Sequence, residues 1–368
     1  MKLYVFNPEH DIALAINKDR FTPPHAGRQL RADLGFIPAL WAEDGDMVLV
    51  DDVEAVMEAV RHLPKYAKKV RFVTVADLAK VDVAALTDFE VQPWGWDLSI
   101  RRQLLDANPA LQPFLPTAEQ TDVIRSMSSR RYAAEHLLPQ LVEQDERLVG
   151  KSCYCQDLPS VVQMVCEDGK SVLKSPWSSS GRGVRYIEST VLTDSQKGWV
   201  ANVISQQGGI MVEPLYRKVL DFGMEFMAHK NGNVDFCGLS MFDTQNGAYT
   251  GSMLATEEDK REVLSKCCDI DLIDRVCESI KSQLSPLLAG KYHGPFGVDM
   301  MTVATDNADT FLVHPCVELN LRRTMGHVAL AISPSNMEPQ SVMNITFAGK
   351  YHLRILKTNA NTLKQGLV

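Results

Sequence analysis

The sequence predicts an α/β and α+β protein that begins with an open parallel α/β domain and continues into a two-part region containing an antiparallel sheet. The first hundred residues alternate short apolar runs with helical patterns, which is typical of strand–helix–strand units. A proline-rich connection follows between Asn108 and Thr117. Beyond residue 209, apolar runs follow one another through tight turns such as Asn231-Gly232, which favours antiparallel pairing.

The length of the chain supports a division into domains. Its 368 residues exceed what one compact core usually holds. We expect an N-terminal α/β domain at 1–115, a first subdomain of the following region at 116–209 and a second subdomain at 210–368.

In the N-terminal domain, apolar runs predict strands and helical spacing predicts the helices between them. The strands are expected at Leu3–Phe6, Met47–Val50 and Val70–Val75, with helices near Arg28–Leu34 and Val53–His62.

Three polar residues, Glu9, His10 and Asp11, come directly after the first predicted strand. Ligands of a parallel sheet bind at the carboxyl ends of its strands, so these residues are placed where a ligand would lie. They also suit the start of a helix with Pro8 in its first turn, because acidic residues stabilise the positive end of a helix dipole. Of these two readings, we favour the helix start.

The two later domains carry further predicted elements. In the first, strands at Val172–Ser175 and Val184–Ile187 flank a loop rich in serine and glycine, and a helix follows near Asp194–Gln206. In the second, the helical pair Thr256–Cys268 and Leu272–Leu288 interrupts the strands. Those strands are expected at Ile210–Leu215, Phe222–His229, Val234–Met241, Gly297–Val303 and Phe311–Leu319.

Composition excludes several classes of protein. A formal charge of −8 argues against a general nucleic-acid binder, which usually carries a basic face. No apolar run is long enough to span a membrane. The eight cysteines lack the paired spacing of a zinc site, so we expect free thiols in a reducing, cytoplasmic setting.

The first chemical motif is the segment from Lys174 to Val184, with the sequence KSPWSSSGRGV. It lacks the spacing of a P-loop and of a Rossmann fingerprint, and it leads into a second strand instead of a helix. A strand–loop–strand hairpin of this composition is suited to covering phosphates with hydroxyl and backbone N–H donors. The donors expected are those of Ser178, Ser179, Ser180, Gly181 and Gly183. Considered alone, a loop of this composition is in most proteins just a mobile turn.

The second motif is Glu318-Leu-Asn320-Leu-Arg322, preceded along the chain by Asp299. In a strand, the three polar residues at alternate positions project from one face. Carboxylate and amide oxygens are the ligands that Mg²⁺ prefers. Without the hairpin, the same residues would fit the solvated face of a half-buried strand.

The order of these motifs resembles the ATP-grasp superfamily, of the carboxylate–amine/thiol ligase type, from about Thr117 to Arg323. In that family a lysine precedes a flexible glycine-rich hairpin, as Lys174 does here. An acidic residue then ends a strand, as in Ile210-Met-Val-Glu213-Pro214, and the metal carboxylates come last. The resemblance implies ATP and Mg²⁺ as cofactors.

The resemblance also implies a role for each site residue. Lys174 would contact the α- and β-phosphates and act in catalysis with Arg322, which would stabilise charge on the transferring group. Glu213 and Asp221 would receive the adenine or its ribose. The metal ligands would be Asp299, Glu318 and Asn320. Where the family usually has an earlier lysine, this chain has Arg130, with Arg131 as the alternative, so a phosphate contact there would have a different geometry.

The activity that the resemblance implies is ligation of a carboxylate to an amine, or to another nucleophile, through an acyl phosphate. The expected partners are therefore a small-molecule carboxylate and amine, with no nucleic acid or membrane, and a homodimer is possible. A small-molecule kinase of the same fold and a non-catalytic nucleotide-binding protein are the two alternatives. Arg323, Thr324 and Gly326 suit either an acceptor carboxylate or a turn. We expect the histidines at 293, 314 and 327 to serve packing.

Overall fold

The computed structural model describes residues 1–178, 182–245, 248–307, 310–334 and 340–357. Three sheets organise this part of the chain: a four-stranded parallel sheet, a four-stranded antiparallel sheet and a seven-stranded antiparallel sheet. The fold class predicted from the sequence is confirmed. No helix in these ranges is long and apolar enough to cross a membrane.

The parallel sheet has the strand order β3-β2-β1-β4. Its strands are β1 (Lys2–Val5), β2 (Met47–Leu49), β3 (Arg71–Val73) and β4 (Glu90–Pro93). The helices of this region are α1 (His10–Ile16), α2 (His25–Leu34), α3 (Val53–Arg61), α4 (Val75–Leu78) and α5 (Leu98–Ala107). Because β1 and β4 are parallel neighbours, the segments that follow them emerge side by side at the carboxyl edge of the sheet.

The small antiparallel sheet has the order β5-β8-β6-β7. Its strands are β5 (Cys153–Cys155), β6 (Ser171–Lys174), β7 (Val184–Ile187) and β8 (Ile210–Pro214). The accompanying helices are α6 (Ala118–Met127), α7 (Arg130–His136), α8 (Leu138–Val142), α9 (Leu158–Asp168) and α10 (Asp194–Gln207). The predicted hairpin is therefore the β6–β7 connection.

The large sheet has the order β13-β12-β9-β10-β11-β14-β15. Its strands are β9 (Lys218–Ala228), β10 (Val234–Gln245), β11 (Ala248–Leu254), β12 (Gly294–Ala304), β13 (Phe311–Asn320), β14 (Ser341–Ala348) and β15 (Lys350–Lys357). Three helices belong to it: α11 (Glu257–Leu264), α12 (Ile270–Leu288) and α13 (Met325–Ile332). One face of the sheet packs against α12 through Phe222, Phe226 and Phe296, which are fully buried.

A hydrophobic core joins the first and last parts of the chain. It contains Tyr4 and Val48 from the parallel sheet together with Val328 and Ile332 from α13 and Met343 from β14. Apolar side chains of β15 pack against the same core. The parallel sheet and the far end of the large sheet therefore share one interior.

The placement of β8 differs from the sequence expectation. Its residues were grouped with the later strands, yet β8 pairs with β5 and β6 in the small sheet. The strand begins at Ile210, just after the predicted boundary at 209, so this boundary falls between α10 and the strand that completes the same sheet. The division of the chain into three domains stays a prediction.

Candidate functional site

The face of the large sheet opposite the α12 core carries the predicted metal ligands. In the β12–β13 register, Asp299 lies opposite Glu318 and Gly297 lies opposite Asn320. Residues that are directly opposite in a sheet share a face, so the register brings Asp299, Glu318 and Asn320 together. Their apolar neighbours Val298 and Leu319 are buried.

Asp299 is in an environment rich in negative charge. Burial, followed by the nearby carboxylates of Glu318 and Glu225, raises the pKa of Asp299 to about 8. The Nδ2 atom of Asn320 donates a hydrogen bond of 3.1 Å to one Asp299 oxygen. Two carboxylates and one amide oxygen form a donor set that suits Mg²⁺, which typically takes one or two carboxylates and completes its shell with water and phosphate. The residues present therefore fit the metal that the resemblance implies.

Arg130 lies at the first turn of α7 and contacts both the hairpin and β13, the strand that carries Glu318 and Asn320. Its Nη1 atom donates to the carbonyl of Ser175 at 2.7 Å and to Oγ of Ser178 at 2.8 Å. Its Nη2 atom contacts both carboxylate oxygens of Glu318, at 2.8 and 2.9 Å. Arg131, the alternative, pairs with Glu135 on the surface of the helix. Of the two arginines, Arg130 is thus the one that faces the site.

Lys174 and Glu213 form a second buried ion pair. Lys174 is on β6 and Glu213 on the neighbouring β8, and the Nζ–Oε2 distance is 2.6 Å. Ser152 Oγ donates a hydrogen bond of 3.0 Å to the other Glu213 oxygen. The sequence assigned these two residues to different parts of a nucleotide, whereas the structure pairs them directly.

The root of the hairpin is held in place by its own backbone and by Trp177. Ser175 N donates to the Gly183 carbonyl at 2.8 Å, and a Cβ at Gly183 would lie only 2.3 Å from Ser178, which explains the glycine. Trp177 donates its indole N–H to the backbone carbonyl of Arg125 at 3.0 Å, and the guanidinium of the same arginine stacks on the Trp177 ring. The other predicted donors, Ser179, Ser180 and Gly181, lie outside the described residues.

Arg322 lies two residues beyond the end of β13 and pairs with the N-terminal region. Its Nε and Nη2 atoms contact the two oxygens of Asp11 at 2.9 and 3.0 Å. Although burial works against its charged form, Asp11 holds the pKa of Arg322 above its usual value. Burial likewise opposes the charge on Asp11, and Arg322 lowers the pKa of that carboxyl.

The neighbours of Asp11 support the helix-start interpretation of the sequence. Helix α1 begins at His10, whose Nδ1 atom is 3.0 Å from Asp97 Oδ2. Glu9 pairs with Arg31 of α2 at 2.9 Å.

Asp221 and Glu213, the two residues predicted to receive the adenine or its ribose, have different polar partners. It pairs with Lys218 and accepts a hydrogen bond of 2.6 Å from Thr244 Oγ1. On β9 it lies opposite Met301, two positions along the strand from Gly223, which faces Asp299. Asp221 therefore shares the site face of the sheet, while its polar contacts are with β9 and β10 neighbours.

The sequence did not single out Glu225, the centre of a buried network on this face. Glu225 accepts hydrogen bonds from Ser240 Oγ at 2.8 Å and Thr324 Oγ1 at 2.7 Å, and lies 2.9 Å from His327 Nδ1. Burial alone would raise its pKa, but His327 and the hydroxyls lower it. The available signal was the Thr324-x-x-His327 spacing, which forms the capping box of α13.

The residues after Arg322 serve the turn into α13, one of the two roles considered from the sequence. Thr324 is the N-cap of α13, and the Arg323 guanidinium stacks 4.4 Å from the ring centroid of Trp41. Arg323 N also donates to the Trp94 carbonyl at 2.9 Å.

Replacing Gly326 with alanine is expected to lower the free energy of unfolding by about 2–4 kcal/mol, because the new Cβ would lie 1.8 Å from Glu225 Oε1. Denaturant unfolding followed by circular dichroism measures the loss. Gly198→Ala is the matched control: this glycine is inside α10 with nothing within 4 Å of a new Cβ, so alanine should stabilise by about 0.5–1 kcal/mol. Equal effects at the two positions would contradict the close packing around Glu225.

His314 is buried behind the Lys174–Glu213 pair and makes a ring contact with Tyr216, at 5.6 Å between centroids. Neither ring nitrogen has a hydrogen-bond partner in the described part of the chain. Burial, reinforced by the charge of Lys174 and opposed by that of Glu213, lowers the pKa of His314 to about 4.

This lowered pKa predicts a loss of stability in acid. Between pH 6.5 and 4 the unfolded chain binds a proton at His314 that the folded chain excludes, so stability falls as pH falls through this window. The contribution is on the order of 3 kcal/mol, from about 1.4 kcal/mol per pKa unit. His314→Leu should therefore flatten the dependence of unfolding free energy on pH between 7 and 4. An unchanged slope in this variant would contradict the prediction.

Four of the predicted site residues line a narrow cleft: Ser178 of the hairpin, Glu318 and Asn320 of β13, and Arg322 just beyond that strand. Asp11 of α1 lines the same cleft, whereas Asp299, Lys174 and Glu213 are not among its lining residues. Within the described residues, each predicted phosphate-binding cation is paired with a carboxylate from a different element: Arg130 with Glu318, Lys174 with Glu213, and Arg322 with Asp11. Binding an anion and a metal here would therefore exchange existing ion pairs.

No protein-family model and no curated protein matches the sequence. Several solved structures are similar to this chain at low sequence identity. The N5-carboxyaminoimidazole synthetase from Staphylococcus aureus complexed with ADP is 11% identical, with a TM-score of 0.47 over 94% of this chain and 82% of that one. An ATP-grasp superfamily protein from Archaeoglobus fulgidus is 12% identical, with a TM-score of 0.44 over 98% of this chain and 100% of that one.

A third match is the biotin carboxylase–β-γ-ATP complex from Campylobacter jejuni, which is 14% identical, with a TM-score of 0.47 over 94% of this chain and 75% of that one. At these TM-scores and identities the likeness supports no activity, so an activity must be argued from the residues of the chain itself.

Proposed function

We propose that this protein is an ATP- and Mg²⁺-dependent ligase that joins a carboxylate to an amine, or to another nucleophile, through an acyl phosphate. The observation that carries the proposal is the β12–β13 register, which places Asp299, Glu318 and Asn320 together beside Arg130 and Arg322. Phosphoryl transfer needs a metal site, cations near the phosphates and exclusion of water. It requires little covalent chemistry from the protein itself.

In this proposal the oxygen atoms of Asp299, Glu318 and Asn320 hold Mg²⁺. The ion, when bound, neutralises charge on the phosphates. Arg130 exchanges its Glu318 contact for a phosphate oxygen, and Lys174 contacts a phosphate beside Glu213.

The remaining parts of the cleft act on the reacting groups. The β6–β7 hairpin covers the phosphates and excludes water, which strengthens every charge interaction beneath it. Arg322 stabilises negative charge on the group transferred to the substrate carboxylate. The amine then displaces phosphate from the acyl phosphate, with both substrates held in the same cleft.

The test is incubation of the protein with MgATP and pools of small carboxylic acids, amino acids and amines, followed by mass spectrometry of the products. A condensed product formed together with ADP and phosphate supports the ligase and identifies its substrates. A phosphorylated substrate without condensation would assign the protein to the kinase alternative. Failure to bind MgATP in titration calorimetry would contradict a nucleotide function altogether.

A further inference from the structure

The contact between Arg322 and Asp11 uses one particular edge of the guanidinium. Arginine has five N–H groups, and two of them, on Nε and Nη2, donate to the Asp11 carboxylate side-on. A third, on Nη1, donates to the carbonyl of Arg323 at 3.1 Å. Within the described residues, three of the five N–H groups of Arg322 thus have partners.

Two N–H groups are left, one on Nη1 and one on Nη2. When the Arg323 carbonyl takes the Nη1 hydrogen that is directed back along the side chain, these two form the outer end of the planar fork. This end is the one that binds carboxylate or phosphate oxygens bidentately. Arg322 also lines the cleft beside Glu318 and Asn320. The orientation that Asp11 imposes therefore keeps the outer fork available for an anion in the cleft.

Asp11 itself is held firmly by the carboxyl edge of the parallel sheet. The preceding residue, His10, contacts Asp97 at 3.0 Å, and Asn7 Nδ2 donates to the Gly95 carbonyl at 2.9 Å and to Asp97 at 3.2 Å. Gly95 is packed against the His10 ring so closely that a Cβ there would lie 2.6 Å from it. The segments after β1 and β4 are thus locked together, and they fix the start of α1.

We propose that Asp11 is a positioning residue that orients Arg322, so that its outer N–H fork faces the phosphoryl group being transferred. The proposal rests on the proposed function. It assigns to the N-terminal sheet a part in the chemistry, carried by a residue that need not touch nucleotide or substrate.

The experiment compares Asp11→Asn with Glu9→Gln. Asparagine keeps the shape of Asp11 but replaces one acceptor oxygen with an N–H₂ group, which cannot accept from the guanidinium. Glu9→Gln is the matched control, because it weakens another buried ion pair at the start of α1, that with Arg31, and leaves the Arg322 contact in place. Thermal unfolding verifies that both variants fold.

The probes are MgADP alone and MgADP with orthovanadate, which mimics a phosphoryl group in transfer, both titrated calorimetrically. For Asp11→Asn we expect MgADP affinity within about twofold of wild type and a loss of about tenfold or more in the tightening caused by vanadate. Arg322→Lys should lose a similar amount, and the double variant should lose no more than either single one, because the two residues act as a unit.

The outcomes separate the two proposals. If the wild-type protein binds no MgADP, the proposed function is wrong. If it binds MgADP with vanadate but Asp11→Asn behaves like Glu9→Gln, only the role of Asp11 is wrong. Additive losses in the Asp11→Asn/Arg322→Lys double variant would also overturn the positioning role. So would a loss of affinity for MgADP alone in Asp11→Asn that is as large as the loss in the tightening caused by vanadate.

Discussion

Replacement of Glu318 by alanine is expected to abolish Mg²⁺-dependent ATP turnover, with a loss of about 1000-fold or more, while the protein stays folded. Glu318 supplies one of the two carboxylates of the proposed metal site, and Asp299 opposite it would be left with only the Asn320 amide. The measurement is release of ADP at saturating MgATP with the substrates found in the pooled assay.

Glu318→Ala also frees Arg130, so a control must separate the metal role from a lost ion pair. Glu135→Ala serves here, because Glu135 pairs with the adjacent Arg131 on the exposed side of α7. Exposed pairs of this kind contribute little, so Glu135→Ala should turn over like wild type. Undiminished ATP consumption by Glu318→Ala would show that Glu318 is not a metal ligand.

The second large effect is expected at Lys174, where alanine should weaken MgATP binding by about 10- to 100-fold. A charge-assisted hydrogen bond to phosphate is worth about 1.5–3 kcal/mol, and its loss accounts for this range. Titration calorimetry measures the affinity directly. Lys151→Ala is the matched control, because Lys151 forms an exposed ion pair with Asp168 near the same sheet and should bind MgATP normally.

Lys174→Ala also leaves Glu213 buried without its cation, which destabilises the fold by roughly 3–5 kcal/mol. The double variant Lys174→Ala/Glu213→Gln removes that unpaired charge. It should recover much of the lost thermal stability without recovering the affinity for MgATP. Normal affinity in the single variant would refute the phosphate contact.

Much of the fold was predictable because local patterns decide it. The strand at Val184–Ile187 and the helix from Asp194 carry their own signals, an apolar run and a Thr193 capping box, and both were located to within a residue. The strands β4, β5, β11, β14 and β15 were not predicted. β5 is only three residues long. β15 pairs with β14, which directly precedes it, and these two strands join the large sheet through β11, an element far away in the sequence.

The candidate site was predictable in its members and much less in its contacts. Spacing along one strand places Glu318 and Asn320 on one face whatever the tertiary structure. The partners of the cations, however, come from elements far away in the sequence. Arg322 meets Asp11 across 311 positions, and Arg130 meets Glu318 across 188. No local periodicity encodes such pairs, since they depend on how the sheets are assembled.

The shared core of the first and last parts has a kinetic consequence. Tyr4 and Val48 are synthesised well before their packing partners, Met343 and the apolar residues of β15, because most of the described residues lie between them in the sequence. Contacts between such distant segments carry a high loop-closure cost and form slowly. The N-terminal strands therefore stay incompletely covered until these later residues have been synthesised. We expect late completion of this core, and not formation of the hairpin or of the local helices, to limit the rate at which the protein reaches its native state.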